Sequence, residues 1–393
     1  MAGDSARLQK FTSEIFRTLD RPEQHRWARA YLWALLHVPG KKTTRRLARA
    51  EELPPAAAHG LHWFINASPW AWEPVRRTLA LRASASAAPF AWTVAELVIP
   101  KSGKHSVGVH PWPDAASGRT VNGQRAVGLF LVTGTYCFPV DWSLVLSGPW
   151  EEDRQLRRRA RIPEPETAQP VGSHVLDHAA GIAGEAQLPN APWVLDLTRD
   201  DDAAAVLAGL ARLRLDVVCE IDQGQVVLTS THSPTAIPVG ELMEVRHARR
   251  PQGVVRQSLD GRAGRVPVYA YAGTVRLPGP GTDDTSGSRT YRVLERPDPE
   301  GRQAARYWIT SLTDRRVEEI LGLVRARAAA LTTIGTLRER FGVLDFEGRS
   351  FPGWHHHMTM ACAAYVYRYL YGAPGAVPQA PAPPSAELTE AAS

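Results

Sequence analysis

The sequence predicts an α/β protein in which an all-helical segment precedes a sheet core, and three observations carry that reading. Apolar residues recur at helical spacing through the first ninety positions. The period changes to that of strands at Ala91. Beyond residue 150, helical and strand patterns alternate, as they do where helices pack on a sheet.

Taken in order, Phe11, Ile15 and Leu19 sit four apart on one helical face. Asp20 is expected to cap the next helix, with Pro22 in its first turn and Trp27, Tyr31 and Leu35 as its stripe. A third helix carries Lys41, Lys42, Arg45, Arg46 and Arg49 around Leu47. Pro54 and Pro55 open a fourth that ends near Asn66, and Ser68 with Pro69 starts a fifth through Trp72 and Val75. Residues 1–88 thus read as a helical region. Strands over 91–99, 106–110, 126–133 and 137–140 then form an antiparallel meander. They are followed by a charged helical segment (151–161), a helix (171–183) stopped by Gly184, a strand (193–196), a helix (203–213) and a strand (216–221). Antiparallel strands followed by alternating helix and strand are the element order of an RNase H-like core, of which residues 89–222 are the first part. Residues 223–306, with short strands joined by Pro, Gly, Asp and Ser, read as a β-rich insertion. Residues 307–372 complete the core with a strand, a long helix capped by Ser311 or Thr313, and a last helix from Trp354 to Tyr371. The long helix presents Val317, Ile320, Leu321, Val324, Ala328 and Leu331 as its apolar face. Residues 373–393 are Pro and Ala rich and are predicted to be disordered.

Composition narrows the function classes. With 393 residues, 44% hydrophobic and 22% charged, the chain is that of a folded protein and not a disordered one. No run approaches the roughly 18 consecutive apolar residues of a bilayer span, so a cytoplasmic, nucleoid-associated protein without a membrane partner is expected. Cys137, Cys219 and Cys362 are widely separated, which leaves no CxxC site and suggests buried thiols. The net charge of +6 and pI near 9.4 lean towards a polyanionic partner.

Two segments are the most informative: KSGKHSVGV from Lys101 and FEGRSFPGWHHH from Phe346. Together with RPEQHRWARAYLWALL from Arg21, INASPWAWEPVR from Ile65 and YWITSL from Tyr307, they resemble the DDE-type insertion-sequence transposases of bacteria, over about nine-tenths of the chain. The resemblance implies an RNase H-like domain with three carboxylates around two divalent metal ions, Mg²⁺ or Mn²⁺, which drive in-line attack on phosphate. It also implies double-stranded DNA as partner and a homodimer as assembly.

The resemblance places the first carboxylate just ahead of the Pro-Lys-x-Gly turn, where this chain has Ala95, Glu96 and Leu97. Asp196, in WVLDLTRDD, fills the second position. Counting back from Glu347 puts Leu331 at the third. Ala95 and Leu331 cannot ligate a metal ion, so Asp196 is the one family carboxylate retained. The expectation is therefore a transposase-like DNA-binding protein that has lost metal-dependent cleavage and needs no cofactor. Two alternatives are an active enzyme with a shifted triad, Glu96, Asp196 and Glu347, and a DNA-binding regulator or assembly factor.

Other readings are simpler. Asp196 alone at a strand end suits a turn or helix cap, and Glu347 with Arg349 suits a structural ion pair. His355, His356 and His357 cannot converge on one ion, because adjacent helical positions point about 100° apart, which leaves packing or DNA contact. The expected DNA surface is Lys41, Lys42, Arg45, Arg46 and Arg49, on a short helix compatible with helix-turn-helix binding, extended by Arg157, Arg158, Arg159 and Arg161.

Overall fold

The computed structural model describes residues 2–50, 53, 57–114, 118–200, 202–229, 234–245, 249–259, 262–278, 289–298 and 304–372. The Pro/Ala-rich tail of the sequence, 373–393, lies outside the described residues.

Five helices come first: α1 (Ala2–Ile15), α2 (Pro22–His37), the single turn α3 (Thr44–Leu47), α4 (Ala57–Asn66) and α5 (Glu73–Ser84). Four strands follow, β1 (Pro89–Pro100), β2 (Val109–Asp114), β3 (Arg119–Thr133) and β4 (Cys137–Val145). Next come α6 (Pro149–Glu152), α7 (Arg154–Ala160), α8 (Val171–Ala183), β5 (Trp193–Asp196), α9 (Ala203–Arg212) and β6 (Val217–Ile221). The inserted part contains β7 (Val226–Thr229), β8 (Ala236–Pro238), α10 (Val239–Glu244), β9 (Arg249–Leu259), β10 (Arg262–Tyr271), β11 (Val275–Arg276) and β12 (Arg292–Arg296). The chain then runs through β13 (Arg306–Thr310), α11 (Val317–Arg340) and α12 (Phe351–Tyr371).

Strand pairing gives the RNase H-like arrangement. Among the described residues one sheet has the order β2-β3-β1-β5-β6-β13-β12-β10-β9, with β4 also pairing β3. β1 is antiparallel to β3 along its whole length and parallel to β5, and β5 is parallel to β6. The insertion does not stand apart, because β12, β10 and β9 continue this sheet beyond β13, while β7, β8 and β11 make a small sheet of their own. β1 alternates in burial, with Ala91, Thr93, Ala95, Leu97 and Ile99 inside and Glu96 exposed.

α8 and α9 pack on each other closely; at Gly209 a Cβ would stand 2.5 Å from the Leu176 side chain, which would have to move to admit it. α11 packs across β1, β4, β5 and β6. By length and composition α11 could cross a membrane, but 56% of its most apolar window is buried inside the fold, as expected of a core helix. Its buried residues include Val317, Ile320, Leu323, Ala326, Ala330, Ile334 and Leu337, a stripe spaced by threes and fours. The expected face ending in Ala328 and Leu331 is therefore rotated: Ala328 is exposed and Leu331 is 47% exposed. Gly342, at φ +64°, then turns the chain out of α11 in a conformation that favours glycine.

The helical region is built around the C-terminal helix, since α1, α2, α4 and α5 all pack on α12. Four helix starts differ from the sequence reading, the last helix beginning at Phe351 instead of Trp354. Arg21, not Asp20, is the cap of α2. α5 begins at Glu73, and Ser68 is instead buried, accepting a 2.9 Å hydrogen bond from Gln24 Nε2. α11 begins at Val317, while Ser311 Oγ accepts from the Val217 amide and ties β6 to the end of β13.

Candidate functional site

The site that the sequence reading singles out lies at the C-terminal ends of β5 and β6, where parallel register sets Asp196 beside Glu220. Asp196 is held on both oxygens. Its Oδ1 accepts from the Thr198 amide at 3.0 Å and the Thr198 hydroxyl at 2.6 Å, a local turn of the kind expected for an aspartate at a strand end. Its Oδ2 lies 2.9 Å from Nη2 of Arg327, which α11 brings over the sheet. Glu220 is held in the same way by Arg306 of β13, with Nε donating to Oε1 at 2.6 Å and Nη2 to Oε2. That bonding to Glu220 holds the Arg306 guanidinium above its ordinary pKa. Arg306 also lies against the Trp308 ring, which fixes its direction.

Arg327 is the residue that sequence reasoning missed. No break in the spacing marks it, because the buried stripe runs through Ala326 and Arg327 stands beside it, half-buried. Leu331 is one helical turn further on and open to solvent. Ala95 is buried on β1 opposite Gly128.

The shifted triad is not brought together. Glu96 points away from the buried face of β1 that carries Ala95, and its Oε2 pairs with Arg125 Nε at 2.5 Å. Glu347 is exposed in the loop before α12, where it and Asp345 act on Lys101. Burial pushes Lys101 down to about 8, against the pull of those two carboxylates, and its ammonium donates to the Phe346 carbonyl at 2.5 Å. The expected Glu347–Arg349 ion pair is not formed among the described residues, and both side chains are exposed.

The chemistry implied for the family needs divalent metal ions held by clustered carboxylates. The residues present do not fit them. Of the three positions that the sequence reading assigns, Ala95 and the exposed Leu331 carry no ligand atom, and Asp196 already carries a guanidinium. No group of three or more His, Cys, Asp or Glu among the described residues could hold a metal ion.

The basic residues expected to contact DNA divide into two sets. Lys42 is buried: its ammonium donates to the carbonyls of Leu35 at 2.8 Å and Val38, closing the end of α2, and its amide donates to Asp345 Oδ2 at 2.7 Å. Burial lowers its pKa. Arg157 donates to the carbonyls of Trp150, Pro163 and Glu166, and Arg161 to Asn66 O and Ser350 Oγ. All three are hydrogen-bonded to groups of the fold, Lys42 buried, Arg157 half-buried and Arg161 exposed. Lys41, Arg45, Arg46, Arg49, Arg158 and Arg159 are exposed. α3 has only four residues, too short to serve as a recognition helix.

The three consecutive histidines are packing groups, all at least 95% buried, and DNA contact is thereby excluded for them. His355 stacks on Trp72 at 4.4 Å and its Nδ1 accepts from Arg76. His356 stacks on Trp70 at 3.9 Å and faces the carbonyls of Ile65 and Trp70, both at 2.8 Å. His357 donates from Nε2 to Gly342 O, so its Nδ1 accepts from the Tyr31 hydroxyl. The segments from Arg21, Ile65 and Phe346 thus meet around α12. The three cysteines are buried and free, and burial pushes Cys137 and Cys362 up to about 12.

Residues 14–257 match the family described as DDE superfamily endonuclease. The chain belongs to the DDE superfamily endonucleases. Among solved structures, this DDE family chain is similar to a piggyBac transposase in a synaptic complex with hairpin DNA, with a TM-score of 0.44, 10% identity, and coverage of 94% of this chain and 73% of that one. No curated protein matches it.

Proposed function

We propose that this DDE family protein binds double-stranded DNA and does not cut it. The observation that carries the reading is the 2.9 Å pair between Arg327 and Asp196: a fixed guanidinium neutralises the carboxylate that a metal ion would otherwise use. Arg306 acts likewise on Glu220, so the carboxylate beside Asp196 is also matched by a protein cation. Arg45, Arg46, Arg49, Arg158 and Arg159 supply exposed positive charge for phosphate contact, and such contacts need no metal. A protein of this kind acts through occupancy of its DNA, as a regulator or as an assembly factor.

The test is duplex affinity measured in a chelator and again in Mg²⁺ at matched ionic strength. Equal affinities in the two conditions are expected. Binding that requires Mg²⁺, or no binding in either, contradicts the proposal.

A further inference from the structure

A cavity of about 680 Å³ lies between the end of α2 and the turn α3. Trp33 and His37 form one wall, and Thr43, Arg45, Arg46 and Arg49 form the rest of its polar lining. The two rings are stacked, with centroids 4.7 Å apart and planes 21° apart. His37 Nδ1 donates to the Trp33 carbonyl at 2.8 Å, which pins the imidazole over the indole and leaves its Nε2 as an acceptor. No carboxylate among the described residues lines the cavity, and none of the three arginines is in an ion pair among the described residues. Elsewhere in the fold arginines are matched to carboxylates, as Arg76, Arg125, Arg306 and Arg327 are. Glu51 and Glu52 follow in sequence and lie outside the described residues.

Three guanidiniums beside a fixed aromatic stack suit a ligand that carries phosphate and a flat ring. The volume is that of a small-molecule site and too narrow for a duplex, whose bases are already stacked on one another. We infer that this cavity takes an unpaired nucleotide of a DNA strand, its base extending the His37–Trp33 stack and its phosphates meeting Arg45, Arg46 and Arg49. The inference rests on the DNA-binding reading and specifies which part of the DNA the helical region holds: an overhang or an opened end, not the paired interior.

The experiment compares a blunt duplex with the same duplex bearing a short single-stranded overhang, by anisotropy at several salt concentrations, using the full chain. The overhang should bind roughly 10-fold more tightly, the range of one base–aromatic stack. His37→Ala, at an exposed position, should remove most of that preference and leave blunt-duplex affinity unchanged, while Trp33→Phe should retain part of it. Arg45→Ala, Arg46→Ala and Arg49→Ala combined should reduce the overhang preference and flatten the salt slope for both DNAs. Equal affinity for the two DNAs, or a preference untouched by His37→Ala and by the triple variant, overturns the inference and leaves duplex binding standing. Failure of both DNAs to bind overturns the DNA-binding reading with it.

Discussion

Arg327 and Leu331 lie one helical turn apart on α11, and it is Arg327 that reaches Asp196 while Leu331 is 47% exposed. A leucine in the open costs nothing to replace by a charged side chain. Leu331→Glu should therefore leave stability within about 0.5 kcal/mol of the parent chain, the usual range for surface changes. Denaturant unfolding measures it, and a loss of several kcal/mol would mean that position 331 is buried against the sheet.

Lys42 and its neighbours Arg45, Arg46 and Arg49 should separate cleanly into stability and binding. Lys42→Met removes an ammonium that closes α2 through the Leu35 and Val38 carbonyls, so it should lower Tm while leaving the salt dependence of duplex affinity unchanged. The triple arginine-to-alanine variant should do the reverse, flattening the slope of log affinity against log salt by up to about 2.7, near 0.9 per phosphate contact. Parallel Tm and salt-titration measurements check both halves.

Arg76 is a stronger stability test. It is 3% exposed and donates to Thr359 Oγ1, Asp141 Oδ1, Trp142 O and both Nδ1 and O of His355, joining α5, β4 and α12. Arg76→Ala leaves the His355 imidazole without its donor and Asp141, 37% exposed, with the Trp142 amide alone on Oδ1, and a loss of about 1–3 kcal/mol is expected, the cost of buried polar groups left unsatisfied. Arg76→Lys should recover only a fraction, since one ammonium cannot reproduce the planar fork. Urea unfolding of the two variants decides it; full rescue by lysine would show that charge alone matters.

Acid should destabilise the fold well before its carboxylates titrate. Burial pushes His174, His356 and His357 down to about 4, from an ordinary value of 6.5. Because the folded pKa lies below the unfolded one, the contribution is fully present above pH 6.5 and is lost as pH falls towards 4. Each histidine supplies a slope of roughly 1.4 kcal/mol per pH unit in that window. Stability measured from pH 7.5 to 4.5 should fall ever more steeply below pH 6.5, the slopes of the individual histidines adding, and His357→Gln should reduce the fall; a flat profile contradicts the burial of these rings in neutral form.

Much of the architecture was legible in the sequence because period and punctuation agree there. Helix α8 and strand β5 fall on the expected residues, 171–183 and 193–196, since Gly184 and the Pro-rich flanks bound them sharply. The charged segment 151–161 breaks into two helices at Asp153, whose carboxylate caps the second, a choice that helical periodicity does not encode. The site was legible only in part. Asp196 stands out as a candidate from its strand end and from the resemblance, but its partner is 131 positions away, and no local pattern links them. Gap-free counting along α11 reached Leu331 and passed over Arg327 because it took no account of which face of the helix meets the sheet. The free basic residues are not countable from sequence for a related reason: Lys42, Arg157 and Arg161 read as free charge there, whereas the fold turns them onto carbonyl oxygens.

The most direct test of the central claim is nicking of supercoiled DNA in Mn²⁺, with the parent chain and Asp196→Ala assayed side by side. An Asp196 carboxylate held by Arg327, with Ala95 and Leu331 at the companion positions that the sequence reading assigns, should give no nicking above the Asp196→Ala background. Nicking by the parent chain that disappears in Asp196→Ala would contradict the account and establish Asp196 as part of a working metal site.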